Sequence, residues 1–119
     1  MSKIEFLVFL HILGAFVICG GAGVGISAGI TMTRTGSVRA IGLLSMTAHR
    51  AALIVTLPGA LLVAITGSWL IAEYRFFELE EFWLWSSYVL WAVAAILDHG
   101  ILGPHLLRLH SMARRLEED

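Results

Sequence analysis

An aspartate and three histidines interrupt an otherwise apolar segment near the C-terminus, AAILDHGILGPHLLRLH. They are Asp98, His99, His105 and His110. Imidazole nitrogens ligate haem iron and transition metals, and a carboxylate beside an imidazole can orient it. The segment therefore carries the side chains of a haem or metal site. Whether they can act together depends on the elements that carry them and on the depth at which each one lies.

Composition indicates that these elements are membrane helices. The 119 residues are 58% hydrophobic and 14% charged, whereas soluble domains are about 25% charged. Three apolar stretches reach the ~20 residues that cross a hydrocarbon core, and no alternating pattern predicts a barrel. We predict an all-α integral membrane helical bundle in one domain, residues 1–119. Its three transmembrane helices cover about 5–31, 38–73 and 82–103, and an amphipathic helix over 105–117 lies on the cytoplasmic side.

The second predicted helix carries two further signals. Thr35-Gly36-Ser37 predicts a turn ending in a helix N-cap. The helix then begins before the membrane and, at ~50 Å, exceeds the bilayer core. Pro58, inside the span, predicts a kink unless a neighbouring helix supplies the missing hydrogen bond.

The distribution of Lys and Arg predicts the orientation. Six arginines lie in or beside the first connection or in the C-terminal tail, against Lys3 and Arg75 on the other side. The six are Arg34, Arg39, Arg50, Arg108, Arg114 and Arg115. Because cytoplasmic loops are enriched in Lys and Arg, we predict an outside N-terminus and a cytoplasmic C-terminus. The net charge of −1, without a basic stripe, argues against a nucleic-acid partner.

With this orientation, the candidate ligands fall at two depths. His11 lies about 8 Å below the outer boundary. His49, Asp98, His99 and His105 share the inner boundary. A haem with two axial histidines needs both at one depth, so His49 with His99 or His105 qualifies. His11 differs in depth from His49 and from His99 by more than ~10 Å, so it cannot share a haem with either one. The simpler interpretation is interfacial anchoring for the cluster and, for His11, a hydrogen bond to a neighbouring helix's hydroxyl or carbonyl.

Small residues predict close helix packing. The first helix carries three glycines spaced by four, and the second carries a matching row of small residues. These positions are Gly21, Gly25 and Gly29, and then Ala60, Ala64 and Ser68. Hydrophobic drive between helices is small in lipid, so association depends on close backbone approach through small residues. We predict that the first two helices pack tightly, or that one of these faces docks onto a partner.

Three segments resemble a bacterial family of small integral membrane proteins of unknown function. They are FLHILGAFVICGGAGVGISAG, with Phe9-Leu10-His11 and Gly20-Gly21, then LPGALLVAITGSWLI and GPHLLRL. That family is distantly similar to the membrane domains of copper-resistance protein CopD and of HemJ, the haem-linked protoporphyrinogen oxidase. The resemblance implies four spans, whereas this sequence shows three, so either a fourth helix follows Asp119 or this member is short. HemJ-like activity would imply a haem held by His11 and further basic residues in the membrane, but these spans contain no lysine.

We predict a non-catalytic protein of the bacterial inner membrane. No serine, histidine and carboxylate converge at one depth, and GGAGVG lacks a preceding strand, so neither hydrolytic nor phosphate chemistry is predicted. The expected function is a small structural or accessory subunit, packing through its glycine faces with itself or with a larger respiratory or photosynthetic membrane complex. The alternative is a membrane redox protein that binds haem b or a metal through His11 or the cluster His49, His99 and His105. A solute or copper conduit is less favoured, because no span carries a polar row through its middle.

Overall fold

Three long helices make up the structure. The computed structural model describes residues 2–73 and 82–118. Helix α1 is Lys3–Arg34, α2 is Val38–Glu73 and α3 is Phe82–Glu118, and each is long and apolar enough to cross a membrane. The described residues contain no strand. The predicted all-α class with three spanning helices is confirmed. The acidic connection at 74–81, with Arg75, lies outside the described residues.

The helices run antiparallel in chain order, which gives the molecule two distinct ends. The acidic-loop end is the end at which α2 finishes and α3 begins, and there the Lys3 ammonium lies 2.8 Å from the Glu73 carboxylate. The basic end is the opposite end, where Arg39 lies 3.9 Å from Glu117. The molecule measures 61 Å along its longest axis. It is therefore longer than a hydrocarbon core of about 30 Å.

Local sequence sets the start of the first two helices. Ser2 and Glu5 form a capping box, in which the Ser2 hydroxyl accepts from the Glu5 backbone and the Glu5 carboxylate accepts from the Ser2 backbone. The Ser37 hydroxyl accepts from the Ala40 backbone N–H at 3.3 Å. The predicted turn and N-cap before α2 are therefore confirmed.

Helices α1 and α2 meet along a seam of small residues spaced by seven. The buried residues of α1 are Leu7, Gly14, Gly21 and Ala28. Those of α2 include a second set with the same spacing, Ser45, Ala52, Gly59 and Thr66. A seven-residue spacing keeps one narrow stripe of each helix against its partner when the pair winds left-handed.

The backbones approach so closely along this seam that side chains would not fit. A methyl group built on Gly14 would lie 3.1 Å from the Gly59 carbonyl oxygen, and one built on Gly59 would lie 3.1 Å from the Gly14 oxygen. A methyl group on Gly21 would meet the Thr56 side chain and lie 3.0 Å from its backbone nitrogen. Glycine is therefore a steric requirement at these three positions.

At the basic end, α2 pairs with the last part of α3. The Gly42 carbonyl accepts a hydrogen bond from His110 Nδ1 at 2.8 Å. A methyl group on Gly42 would lie 3.1 Å from the Ala113 side chain. A small core of Ala28, Ala48 and Leu106 joins all three helices, with Met32 and Leu44 packed against it. The part of α2 that was predicted to begin before the membrane therefore packs against the last part of α3.

The amphipathic C-terminal segment does not leave the bundle as a separate helix. Gly103–Glu118 continues α3 through a π-helical segment, Ile96–Leu102. A second π-helical segment, Ala52–Thr56, lies within α2. Each one ends two residues before a proline, Pro104 or Pro58. A proline ring clashes with the carbonyl of the preceding turn, and widening that turn relieves the clash without ending the helix.

Candidate functional site

His11 bridges α1 and α2 near the acidic-loop end. Its Nδ1 lies 3.1 Å from the Val63 carbonyl oxygen and 3.1 Å from the Thr66 hydroxyl. Thr66 donates its own proton to the Leu62 carbonyl at 2.6 Å, so its oxygen accepts from His11. Both neighbours of Nδ1 are therefore acceptors, and Nδ1 carries the proton. In the neutral imidazole, Nε2 is then left with its lone pair.

The neighbouring residues make room for this ring. A methyl group on Gly67 would lie 3.0 Å from His11 Cε1. Thr66 is 3% exposed, which shields the hydrogen bond from solvent. The interhelical bond to a hydroxyl and a carbonyl is the simpler interpretation given above for His11, and the structure contains it. A role for His11 in cofactor binding stays a prediction.

A cavity of about 280 Å³ lies beside His11, between α2 and the first part of α3. Its walls are mostly apolar, and its polar or aromatic lining residues are His11, Ser68, Trp83, Ser87, Tyr88 and Trp91. None of the described residues that line it is an Asp, Glu, Lys or Arg. Trp83 and Tyr88 are 52% and 41% exposed, so the cavity opens at the surface of the bundle.

Among the described residues, two hydrogen bonds join α2 to α3 around this cavity. The Ser68 and Tyr88 hydroxyls lie 2.7 Å apart. Trp91 Nε1 donates to the Ala60 carbonyl at 3.0 Å. Ala64 also lines the cavity. The small residues predicted on α2 for close helix packing, Ala60, Ala64 and Ser68, therefore face α3 and the cavity. Gly59 faces α1 instead.

On α1, the three glycines spaced by four have different surroundings. Gly21 contacts Thr56 of α2. No atom beyond its own helix backbone lies within 4 Å of a methyl group built on Gly25 or on Gly29. The same holds for Gly20 and Gly23. The within-chain contact of α1 thus follows the seven-residue spacing, and the docking of Gly25 and Gly29 onto a partner stays a prediction.

The inner cluster, His49, Asp98, His99 and His105, lies in or next to the two π-helical segments. His49 Nδ1 is buried and has no hydrogen-bond partner among the described residues. It lies beside Gly103, where a methyl group would be 3.8 Å from this nitrogen. His99 Nε2 lies 3.4 Å from the Asp98 carboxylate, and both side chains are about a quarter exposed. His105 is exposed.

The described residues contain no group of three or more His, Cys, Asp or Glu side chains that could hold a metal ion. Of the predicted cluster, His49 lies against α3 at Gly103, and Asp98 lies beside His99, while His105 points to the surface. Sequence reasoning missed the hydrogen-bonding role of Thr66 and the two π-helical segments. The prolines that follow those segments are the signal that could have located them.

The described residues form three long, apolar, antiparallel helices, and the first two pack closely through glycine. This arrangement is that of a small multi-pass integral membrane protein. The chain belongs to the DUF2269 family, described as "Predicted integral membrane protein", whose sequence pattern matches residues 5–119. No curated protein and no solved structure matches the chain. The family result supports the resemblance to a membrane family of unknown function noted in the sequence.

Proposed function

We propose that the protein is a small accessory subunit of the bacterial inner membrane, which associates with copies of itself or with a larger membrane complex. The observation that carries this proposal is the open position of Gly25 and Gly29. A glycine inside a helix costs roughly 0.5–1 kcal/mol relative to alanine. Gly14 and Gly21 offset that cost by admitting α2, whereas a methyl group on Gly25 or Gly29 would meet no atom within 4 Å. In lipid, such a surface admits the backbone of another helix.

The proposed orientation has the N-terminus outside and the basic end in the cytoplasm. It is supported by the six arginines of the first connection and tail against Lys3 and Arg75. The ~36 residues of α2 and of α3 reach about 54 Å and extend beyond the hydrocarbon core, and in this orientation the extension at the basic end is cytoplasmic. The paired parts of α2 and α3 beyond the membrane then lie where a cytoplasmic domain of a partner could bind.

A matched pair of glycine variants tests the association. Gly29→Leu places a large side chain on the proposed surface, and Gly20→Leu makes the same change nine residues earlier, on the opposite side of the helix. A methyl group at either position would meet no atom within 4 Å. Native mass spectrometry from lipid nanodiscs should show wild type and Gly20→Leu in an assembly and Gly29→Leu alone. The proposal is contradicted if the wild-type protein is monomeric and no other membrane protein co-purifies with it.

A haem-binding redox protein is the second candidate, favoured by the unpartnered Nδ1 of His49. A buried imidazole nitrogen with no hydrogen bond is available as an iron ligand. His99 and His105 lie on the facing helix, and Asp98 would orient the His99 ring. His11 is the other candidate ligand, as HemJ-like activity would imply, but the spans lack the lysine that such activity would also imply. His11 and His49 cannot ligate one iron, since Thr66, the neighbour of His11, is about 25 Å along α2 from His49.

An absorption spectrum of protein expressed with an ample haem supply tests this candidate. Haem held by the inner cluster predicts a Soret band that His49→Ala removes and His11→Asn leaves. Half-buried His110 has its Nδ1 bonded to the Gly42 carbonyl and does not belong to the proposed ligand set, so His110→Asn serves as a control. A protein without a Soret band, isolated intact with its subunits, rules the candidate out in favour of the accessory role.

A further inference from the structure

The cavity beside His11 has the properties of a ligand site. It holds about 280 Å³, close to the lower end of the range of about 300–1,000 Å³ for small-molecule sites. A mostly apolar wall with a few convergent polar groups is the usual form of such sites. This volume accommodates a ring system. Anything longer must extend through the open side.

His11 supplies the specific recognition group. Its Nδ1–H is held by Val63 and Thr66, so the neutral ring presents Nε2 as a hydrogen-bond acceptor. Nε2 has no hydrogen-bond partner among the described residues. It is also not sealed off, because His49 Nδ1 is the one unpartnered side-chain N or O atom found fully buried in the described part of the chain. A ligand in this cavity that offers an O–H group would satisfy it.

The surroundings select a neutral, aromatic and lipid-soluble ligand. His11 is eight residues beyond the start of α1, or about 12 Å along the helix axis, and therefore within the apolar span. The described lining residues carry no formal charge that would bind an ion. The indole and phenol rings of Trp83, Tyr88 and Trp91 line the α3 side and provide flat surfaces for ring stacking. The exposed edges of Trp83 and Tyr88 mark an opening through which a hydrocarbon tail reaches the lipid.

We propose that this cavity binds the hydroxyl-bearing ring of a quinol-type lipid, with the ring hydroxyl donating to His11 Nε2 and the tail extending into the bilayer. The Ser68–Tyr88 pair provides a second polar contact at the α3 side. Because Nε2 accepts, the reduced quinol is bound more tightly than the oxidised quinone, whose ring oxygens only accept. This proposal concerns binding and is independent of the association through Gly25 and Gly29.

The test uses decyl-benzoquinol and decyl-benzoquinone, titrated calorimetrically into the full-length protein in nanodiscs under anaerobic conditions, with protein-free nanodiscs as the blank. Wild type should bind the quinol saturably and the quinone about fivefold more weakly, the worth of roughly one hydrogen bond. In His11→Asn, the amide N–H can replace Nδ1–H towards Val63 while the Nε2 acceptor is lost. This variant should bind both forms with equal, weak affinity.

Steric variants keep the test independent of His11. Ala64→Leu fills the cavity and should abolish binding, whereas Ala94→Leu makes the same change at an exposed position of α3 outside the cavity lining and should bind as wild type. Unchanged quinol affinity in both His11→Asn and Ala64→Leu overturns the proposal. A Soret band that His11→Asn removes also overturns it, because Nε2 would then be an iron ligand.

Discussion

Helix α2 holds its two neighbours in different ways. Against α1 it packs backbone to backbone, with Gly59 and Gly14 so close that a methyl group on either would lie 3.1 Å from the other's carbonyl oxygen. Against the first part of α3 it is joined through side chains, by the Trp91 indole and the Ser68–Tyr88 hydroxyls, around a cavity. The α1–α2 interface is tight because its glycines have no side chains. Between α2 and α3, large side chains leave a cavity.

The difference follows from what stabilises helix pairs in lipid. Lipid tails are as apolar as leucine, so association depends on van der Waals contact of backbones and on interhelical hydrogen bonds. The α1–α2 seam relies on close backbone contact, with the His11–Thr66 hydrogen bond added near its end, and forms a fixed pair. The cavity side of α3 uses the second, which needs few contact points and leaves space between them. The fixed pair can thus position His11, while the open side gives a ligand access to it.

Placing a side chain in the seam should have the largest effect. In Gly21→Leu, the new side chain meets Thr56 of α2, and overpacking of this kind costs about 3 kcal/mol or prevents folding. Gly25→Leu lies one helical turn later, where a methyl group would meet no atom within 4 Å, and should not destabilise the fold but stabilise it by up to about 1 kcal/mol, because leucine favours the helix more than glycine does. Reversible unfolding in mixed micelles measures both. Equal losses in the two variants would mean that the seam does not follow the seven-residue spacing.

Removing the hydrogen-bond acceptor of His11 should have a smaller effect. Thr66→Val keeps the shape of a buried residue but leaves His11 Nδ1–H with the Val63 carbonyl alone. The expected loss is about 1 kcal/mol. Thr47→Val is the matched control, because the exposed Thr47 hydroxyl bonds to its own helix at Leu43. The same unfolding assay should show almost no change for the control, and a loss equal to that of Thr66→Val would contradict the interhelical role of Thr66.

On the other face of α2, Trp91→Phe should act locally. It deletes the N–H that donates to the Ala60 carbonyl, and interhelical hydrogen bonds of this kind are worth about 0.6 kcal/mol. Amide hydrogen exchange should become faster in Phe82–Ala95 and stay unchanged along the seam around Gly14 and Gly59. Faster exchange in the seam to the same degree would show that the two interfaces are not independent.

The ion pair at the basic end should have the smallest effect. Arg39 and Glu117 are 3.9 Å apart, with side chains 75% and 50% exposed. Exposed pairs contribute about 0.2–1 kcal/mol and are screened by salt. A double-mutant cycle with Arg39→Gln and Glu117→Gln should give a coupling energy below about 0.5 kcal/mol. A coupling above ~1 kcal/mol would show that the paired extension depends on charge and not on the close contact of Gly42 with Ala113.

The sequence predicted the three helices and the cap at Ser37, because apolar length and capping chemistry are local properties. It did not predict which glycines face α2. Gly14, Gly21 and Ala28 are spaced by seven, and Gly21, Gly25 and Gly29 by four, so α1 carries both patterns. Choosing between them requires the crossing angle of the two helices, which depends on α2 as well as on α1.

Two other features depended on interactions between distant residues. The bond from His11 to Thr66 was foreseen as a contact with some hydroxyl or carbonyl, but its partner is fixed by the register of the seam. The third span was predicted to end at 103, before a separate amphipathic helix over 105–117, whereas the helix continues because Ile96–Leu102 widens to a π-helix. The packing of Leu106 and Ala113 on α2 stabilises that continuation.

Site-specific labelling tests the membrane arrangement on which the depth of His11 and the lipid access of its cavity depend. In a Cys19→Ser background, single cysteines at Ser2, Gly36 and Glu118 would be treated in intact cells with a membrane-impermeant maleimide. We expect labelling at Ser2, and protection of both Gly36 and Glu118 until the cells are opened. Labelling of Glu118 in intact cells, or of Gly36 and Glu118 on opposite sides, would contradict three crossings with the basic end in the cytoplasm.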